Sequence, residues 1–246
     1  TYRPRAIPLR VRAGPEGAAA QLGDAQLPAV AAVAAAMDLE HHHAVQDALH
    51  VRIARHGAAV VEQQHGAAAL QEELREGEQL AANALLGVAA TEFMHYPDGV
   101  LQASLELRRD LTRLIRKHKP TVVICGDPTV RFFGDEYMNH PDHRVAADVC
   151  CDAVFPSAGT RLIFPELLAE GLEPHDVNYV YFHGSEKYNL YIDISETINI
   201  KINALKQHKS QISGAEAEKV VIEWAEETGK MGGMKYAECY RVMVLK

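Results

Sequence analysis

The alternation of apolar and polar positions is clearest between residues 101 and 118. Five aliphatic side chains give a helical stripe there, with spacings of four and three from Leu107 to Leu111 to Leu114: Leu105, Leu107, Leu111, Leu114 and Ile115. Four arginines lie between them, and we expect these on the solvent side: Arg108, Arg109, Arg113 and Arg116. Lys119-Pro120 ends the pattern, because proline cannot continue a helix. The pattern therefore predicts a helix over residues 101–118.

A short apolar run follows this helix directly. Residues 121–125 are Thr-Val-Val-Ile-Cys, which is typical of a strand buried in a parallel sheet. Two more strands are predicted over residues 179–183 and 190–194. Further helices are predicted over residues 143–154, 196–208 with Ser195 as N-cap, and 215–228. Because helices and strands alternate, we predict an α/β fold with a mostly parallel sheet and helices on both faces.

The first 90 residues have a different composition. Eleven of the 24 residues from 13 to 36 are alanine, and few strand-forming residues precede Val60. The chain has 246 residues, a length that suits one α/β domain. We therefore predict a single domain over residues 1–246, in which residues 1–30 are an N-terminal extension.

Charge and composition exclude some classes of function. The net charge is −8, which disfavours nucleic-acid binding, because phosphate contacts need basic clusters. The nearest such cluster lies at the end of a predicted helix, where cations suit the helix dipole: Arg113, Arg116, Lys117, His118 and Lys119. No apolar run approaches the roughly 18 residues of a membrane span, and no signal peptide is evident, so we expect a cytoplasmic protein.

The four cysteines form no C-x-x-C pair. They are predicted to be small buried side chains in a reducing compartment: Cys125, Cys150, Cys151 and Cys239.

Residues 137–144 carry the densest set of reactive side chains. His140 and His143 stand three positions apart with Asp142 between them, after a strand and a loop. In an open α/β sheet this is the carboxyl edge, where ligands bind. A neutral imidazole is the commonest zinc ligand, and a nearby carboxylate orients it. Pro141 favours a helix start, so the same residues would also serve to cap a helix. The residues alone leave metal or acid–base chemistry and simple capping as equal alternatives.

The string His140-Pro141-Asp142-His143 resembles the second signature of the LmbE-like, or PIG-L, family of zinc-dependent N-deacetylases. Other segments resemble family motifs in the same order along the chain: Arg75-x-x-Glu78-x-x-Ala81, Tyr96-Pro97-Asp98-Gly99, Lys119-Pro120-x-Val122-Val123, Phe164-Pro165-Glu166-Leu167-Leu168, Asp193-Ile194-Ser195, Lys201-x-x-Ala204-Leu205 and Tyr236-Ala237-Glu238. The resemblance covers residues 75 to 243, and so many ordered motifs are more specific than the four-residue string alone.

This resemblance implies a Rossmann-like (LmbE-like) domain that uses Zn²⁺ to remove an N-acetyl group from an N-acetylglucosamine-type sugar or glycoconjugate. It implies that His143 is a zinc ligand and that His140 and Asp142 are catalytic, with Asp142 keeping His140 charged. Arg75 and Asp98 would hold sugar hydroxyls. Residues 164–174 would wall the pocket, residues 155–174 would select the substrate, and the protein would be a homo-oligomer.

The first signature of the family, Ala-His-Pro-Asp-Asp, is absent. An ungapped count places its positions on residues 38–41, so that Asp38 and His41 would be zinc ligands and Glu40 the general base. Glu40 would take a proton from the attacking water, and His140 would stabilise the oxyanion. Three interpretations stay open: the substituted set is active, the chain has lost catalysis, or the amino-acid sequence given for residues 1–74 is unreliable.

Two other functions compete with the hydrolase. A non-catalytic carbohydrate- or partner-binding member of the same fold would explain the absent first signature. A nucleotide-binding protein would need a G-x-G-x-x-G after its first strand, and the chain has none there. The run from 41 to 43 resembles a tag-like tract, and the remaining histidines considered are expected at the surface or in supporting positions: His118, His175, His183 and His208.

Overall fold

The computed structural model describes residues 11–13, 49–54, 58–63, 69–212 and 214–245. Asp38, Glu40 and His41, which were assigned to the first signature, lie outside these residues. The same holds for the predicted N-terminal extension apart from residues 11–13.

The described secondary structure alternates between strands and helices after residue 69. The strands are β1 (Val11–Ala13), β2 (Leu49–Ala54), β3 (Ala58–Gln63), β4 (Val88–Phe93), β5 (Val122–Gly126), β6 (Phe132–Phe133), β7 (Tyr137–Met138), β8 (Tyr179–His183), β9 (Leu190–Asp193) and β10 (Ala237–Val244). The helices are α1 (Ala69–Leu86), α2 (Leu105–His118), α3 (Pro141–Asp152), α4 (Glu166–Ala169), α5 (Ile198–Leu205) and α6 (Gly214–Gly232). A π-helical turn, Ala153–Ala158, follows α3 and contains a cis peptide bond before Pro156.

Eight strands form one sheet in the order β1-β9-β10-β8-β5-β3-β2-β4. β5 pairs in parallel with β3 on one side and with β8 on the other. The remaining neighbours pair antiparallel, because β10 returns between β8 and β9 and β2 returns between β3 and β4. The fold is thus mixed α/β with a partly parallel sheet, and the predicted parallel arrangement holds only at the centre.

Helices cover both faces of this sheet. Residues 122–125 of β5 are at most 2% exposed, as expected for a strand covered on both sides. On one face, α2 and α3 pack on the sheet in a cluster that includes Leu107, Val149 and Phe182. Glu238 and Arg241 are three positions apart on β10, so they point to opposite faces. Arg241 lies over the Phe182 ring, whereas Glu238 pairs with Lys201 of α5 on the other face.

The predicted helix before β5 is confirmed, but it begins at Leu105 rather than at residue 101. The Ser104 side chain accepts a hydrogen bond from the Leu107 amide at 3.1 Å and so caps the first turn. Lys119 adopts a left-handed conformation with φ 49° and donates its amide to the Ile115 carbonyl, which ends the helix before Pro120.

The predicted exposure of Arg116 is wrong. Its side chain is 0% exposed, and it crosses from α2 to the segment after α3. Nε donates to the Ala158 carbonyl at 3.1 Å, and Nη2 donates to the carbonyls of Ser157, Thr160 and Ile163 at 2.9–3.1 Å. A helical pattern cannot distinguish such an arginine from a solvated one, because its acceptors are backbone atoms about 40 residues away along the chain.

The prediction of Ser195 as a helix N-cap is also wrong. The helix is shorter than predicted and has Thr197 at the N-cap position. The Ser195 amide instead donates to Asp193 Oδ1 at 2.9 Å, which closes a turn directly after β9. This aspartate competes for the local backbone amide, as short polar side chains commonly do.

Candidate active site at the start of α3

α3 begins at Pro141, directly after His140. His140 is the N-cap residue, and its Nδ1 accepts a hydrogen bond from the Asp142 amide at 3.2 Å. Pro141 occupies the first helical turn, where its missing N–H costs no hydrogen bond. A ring nitrogen that accepts a hydrogen bond carries no proton, so this geometry corresponds to a neutral His140 with its proton on Nε2.

Asp142 is the buried member of the predicted triplet, with 1% exposure. Its Oδ1 lies 3.9 Å from His140 Nδ1, which is too long for a hydrogen bond. Its Oδ2 is buried without a hydrogen-bond partner among the residues that the structure describes. The carboxylate stands in the first turn of α3, where the helix dipole favours negative charge. The site therefore holds a buried carboxylate oxygen that can still accept a hydrogen bond.

His143 lies beside His140 rather than apart from it. The two ring centroids are 5.5 Å apart, with their planes tilted by 53°. The two rings are therefore neighbours at the helix start. The capping alternative also holds for His140, but capping accounts for neither His143 nor the buried Asp142 oxygen.

A second carboxylate, Asp127, organises the end of β5 beside this helix start. It is 4% exposed, and Oδ1 accepts from the amide and hydroxyl of Thr129 at 2.9 and 2.6 Å. Oδ2 accepts from the Ser185 hydroxyl at 2.6 Å and from Arg241 Nη1 at 3.4 Å. Burial alone would raise the pKa of Asp127, but these hydrogen bonds and the Arg241 charge outweigh it, so the pKa is lowered. An ionised Asp127 thus joins three segments at the carboxyl ends of the central strands.

The segment from Asp127 to His140 folds back as a short hairpin of β6 and β7. Asn139 closes its base: its amide donates to the Arg131 carbonyl and its side chain donates to the Val130 carbonyl, both at 2.9 Å. The Val130 amide in turn donates to the Asp127 carbonyl at 3.2 Å. A chain of hydrogen bonds therefore runs from Asp127 to the residue that precedes His140.

The sequence interpretation did not include Asp127, Asn139 and Ser185. Asp127 had a usable signal, because an Asp-Pro-Thr turn directly after a buried strand places a carboxylate at the edge where ligands bind. Ser185 lies 58 residues further along the chain and becomes its partner only when β5 and β8 pair. No local pattern predicts that contact.

Two other predicted site residues, Arg75 and Asp98, are within the described part of the chain and lie on other elements. Arg75 lies in α1, and Asp98 lies in the loop after β4. β4 runs in the same direction as β5, since both are linked through the antiparallel β2 and β3. Asp98 thus follows a carboxyl end, as the prediction requires. Within the described ranges, no group of three histidine, cysteine, aspartate or glutamate side chains is arranged to hold a metal ion.

The segment that leads into the expected pocket wall lies at the other end of α3. The Ala158 carbonyl accepts from the His175 amide at 3.0 Å, and His175 Nε2 lies 2.8 Å from the Pro120 carbonyl. Pro120 precedes β5, so this segment packs at the amino end of the strand. α3 has 12 residues, which separate its two ends by about 18 Å. The structure therefore places the start of this segment away from His140.

The structure gives the surroundings of three histidines that were expected at the surface or in supporting positions. His118 Nε2 lies 3.1 Å from Glu92 Oε1, and His208 is buried at 5% exposure. The His183 ring lies 3.9 Å from where a Cβ on Gly126 would stand. None of the four cysteines is in a disulfide bond; Cys125 and Cys150 are buried, and Cys151 and Cys239 are partly buried. No helix in the described parts of the chain is long and apolar enough to cross a membrane.

Comparisons with known proteins agree with the family resemblance of the motifs. The family model described as "PIG-L: GlcNAc-PI de-N-acetylase" matches residues 31–154. A diacetylchitobiose deacetylase from Thermococcus kodakarensis is 32% identical over 179 residues, which cover 70% of this chain and 61% of that protein. The chain thus spans less than two thirds of this relative's length.

Solved structures give a consistent fold. The N,N'-diacetylchitobiose deacetylase from Pyrococcus horikoshii, complexed with its inhibitor MPG, aligns with a TM-score of 0.64 and 28% identity, covering 70% of this chain and 64% of that chain. A conserved protein from Thermus thermophilus aligns with a TM-score of 0.57 and 26% identity, covering 68% and 72%. GalB, the 4-carboxy-2-hydroxymuconate hydratase from Pseudomonas putida, aligns with a TM-score of 0.56 at 19% identity, covering 72% and 74%, which supports the fold alone.

Proposed function

The chain belongs to the PIG-L family, and we propose that it is a zinc-dependent hydrolase that removes the N-acetyl group from an N-acetylglucosamine-type sugar or glycoconjugate. The observation that carries the proposal is the start of α3, where His140, Asp142 and His143 meet at the end of the central strands. The similarity to two diacetylchitobiose deacetylases supports this substrate class.

The donor types fit a zinc site. His143 would be a ligand from the described residues, and Asp38 and His41 would complete the set. When bound, zinc lowers the pKa of a coordinated water to about 7 and polarises the acetyl carbonyl. Glu40 would accept a proton from the attacking water and pass it to the leaving amine. Arg75 and Asp98 would bind sugar hydroxyls.

His140 would stabilise the oxyanion through Nε2–H, the position that its proton occupies when Nδ1 accepts from the Asp142 amide. If His140 takes up a second proton on Nδ1, that amide can no longer donate to it. Asp142 Oδ1, now 3.9 Å away, would then be the nearest acceptor, and a small tilt of the ring would form the ion pair. Asp142 would thereby stabilise the charged form of His140 during turnover.

The test is acetate release from N-acetylglucosamine and diacetylchitobiose by the zinc-loaded protein, with metal content measured on the same sample. His143→Ala is expected to lose zinc and to lower kcat/KM at least a hundredfold, since a ligand is removed. His118→Ala is the matched control, because His118 lies at the end of α2, away from α3, where its Nε2 is 3.1 Å from Glu92 Oε1 of β4. Retained zinc and retained activity in His143→Ala would refute the assignment.

A second candidate function follows from the substitution of the first signature. If Asp38, Glu40 and His41 do not support catalysis, the protein would be a non-catalytic carbohydrate- or partner-binding member of the family. Calorimetry separates the two, because that protein would bind diacetylchitobiose and release no acetate at any zinc concentration. In either case we propose a cytoplasmic homo-oligomer, and the four cysteines, none of them in a disulfide, fit a reducing compartment.

A further inference from the structure

The hairpin that leads into His140 carries exposed apolar side chains. Phe132 is 53% exposed and Met138 is 65% exposed, although large apolar side chains are usually buried. These two residues are directly opposite each other in the β6–β7 pair. We propose that Phe132 and Met138 form a platform for the second sugar ring of a substrate with two or more rings. The proposal rests on the deacetylase function and deepens it.

The register of the hairpin places this pair in line with His140. The Asn139 amide donates to the Arg131 carbonyl at 2.9 Å, so strand pairing continues one position beyond Met138. Side chains alternate along an extended strand, so Met138 and His140 point to the same side. Tyr137 points to the other side, where its ring centroid lies 6.0 Å from that of Phe133. One face of the hairpin therefore continues from the reactive histidine, and the opposite face does not.

The hairpin is anchored well enough to act as a fixed surface. Asn139 bonds to the carbonyls of Val130 and Arg131, and the Asp127 carboxylate holds the turn that precedes them. Gly134 adopts φ 57° at the tip, a conformation that glycine takes without strain. An exposed apolar pair on an anchored hairpin costs little conformational entropy when a ligand covers it.

The chemistry of the surface suits a sugar ring. A pyranose has an apolar face of C–H groups, which stacks on an aromatic ring, and hydroxyls at its edge, which need polar partners. Phe132 supplies the ring and Met138 an adaptable apolar neighbour. Arg131, Asp135 and Glu136 are exposed on the same short hairpin and can bond to hydroxyls. In a β-linked disaccharide the second ring necessarily lies next to the one that is deacetylated.

The test compares substrates of one and two rings. Phe132→Ala and Met138→Ala are each expected to raise KM for diacetylchitobiose about tenfold, while kcat/KM for N-acetylglucosamine changes less than about twofold. Tyr137→Ala removes a comparably exposed side chain from the opposite face, and Leu162→Ala removes one beyond the far end of α3. Both controls are expected to leave the ratio between the two substrates unchanged.

A second measurement does not depend on turnover. The chain has six methionines, so selective methyl labelling gives few signals to assign. Chitobiose added to zinc-free protein is expected to shift the Met138 methyl signal, and glucosamine at the same concentration is not. If wild type releases no acetate from either substrate, the proposed function fails, and a Met138 shift still supports the platform.

The platform is overturned if both variants lower kcat/KM equally for the two substrates, or if the Met138 methyl signal does not shift when chitobiose is added. It is also overturned if the variants change the oligomeric state by light scattering while the substrate ratio stays constant. That result would assign the exposed pair to an interface between copies of the chain.

Discussion

At the residue scale, His140 and Asp142 combine two tasks at the start of one helix. His140 completes the first turn by accepting the Asp142 amide, and Asp142 places a buried carboxylate 3.9 Å from the same ring nitrogen. A buried carboxylate oxygen that lacks a hydrogen bond is costly, by about 1–3 kcal/mol. Within the described part of the chain Asp142 Oδ2 is such an oxygen. Under the proposed function, we interpret the two side chains as partners that would form an ion pair during turnover rather than as a permanent ion pair.

Asp127 gives a residue-scale prediction that depends on pH. Its pKa is lowered in the fold, because hydrogen bonds from Ser185 and Thr129 and the charge of Arg241 outweigh the effect of burial. A lowered folded pKa contributes stability above the unfolded pKa of about 3.9, and that stability disappears as pH falls through the folded value. Asp127→Asn is expected to lower the free energy of unfolding at pH 7 by about 1–3 kcal/mol.

Urea unfolding at several pH values checks this prediction. The difference between wild type and Asp127→Asn should be largest near neutral pH and should shrink toward pH 3. Asp135→Asn, in the exposed hairpin tip, is the control and should show no such trend. A difference that grows on acidification would contradict the assigned direction of the pKa.

At the element scale, the sequence predicted those elements whose cause is local. α2 follows from the spacing of Leu107, Leu111 and Ile115, and β5 follows from its apolar run. The ends were less predictable: Ser104 starts α2 four residues later than expected, and Asp193 displaces Ser195 from the capping role. The burial of a charged residue was not predictable at all, because helical periodicity carries no information about distant backbone acceptors.

Arg116 provides the prediction for this scale. It ties α2 to the turn after α3 through four backbone carbonyls, and burial lowers the pKa of its guanidinium without removing its charge. Arg116→Met fills a similar volume but leaves these carbonyls without donors, so we expect a loss of about 2–4 kcal/mol in the free energy of unfolding.

The control is Arg113→Met on the same helix, which breaks a partly exposed pair with Glu170. Its expected cost is about 0–1 kcal/mol by urea unfolding. Proteolysis of Arg116→Met should increase between residues 157 and 163. Any acetate release per folded molecule should not change, because the segment lies at the other end of α3. Equal stability losses in the two variants would argue against this role of Arg116 in joining α2 to the turn after α3.

At the scale of the whole molecule, the two ends of the central strands have different tasks. The carboxyl ends carry Asp127, the hairpin and the start of α3, whereas the amino end of β5 receives the segment around Ala158 and His175. The sequence placed His140 after a strand and a loop, and so predicted the start of α3 at the carboxyl ends, although Asp127 was not part of that prediction. It could not predict the second, or the antiparallel β10, because neither depends on a local pattern and both depend on which strands become neighbours.

A buried ion pair joins the sheet to the helix layer on the face opposite α2 and α3, and it gives the last prediction. Lys201 of α5 and Glu238 of β10 are 1% and 4% exposed. Removing one partner leaves a buried charge, so Glu238→Gln should cost about 3–5 kcal/mol in unfolding free energy. The exposed pair of Arg161 and Glu173 is the internal control, and Glu173→Gln should cost less than about 1 kcal/mol. Two apolar side chains leave no buried charge without a partner. Lys201→Met combined with Glu238→Leu should therefore recover most of the lost unfolding free energy. A double variant no more stable than Glu238→Gln would show that the pair contributes more than mutual neutralisation.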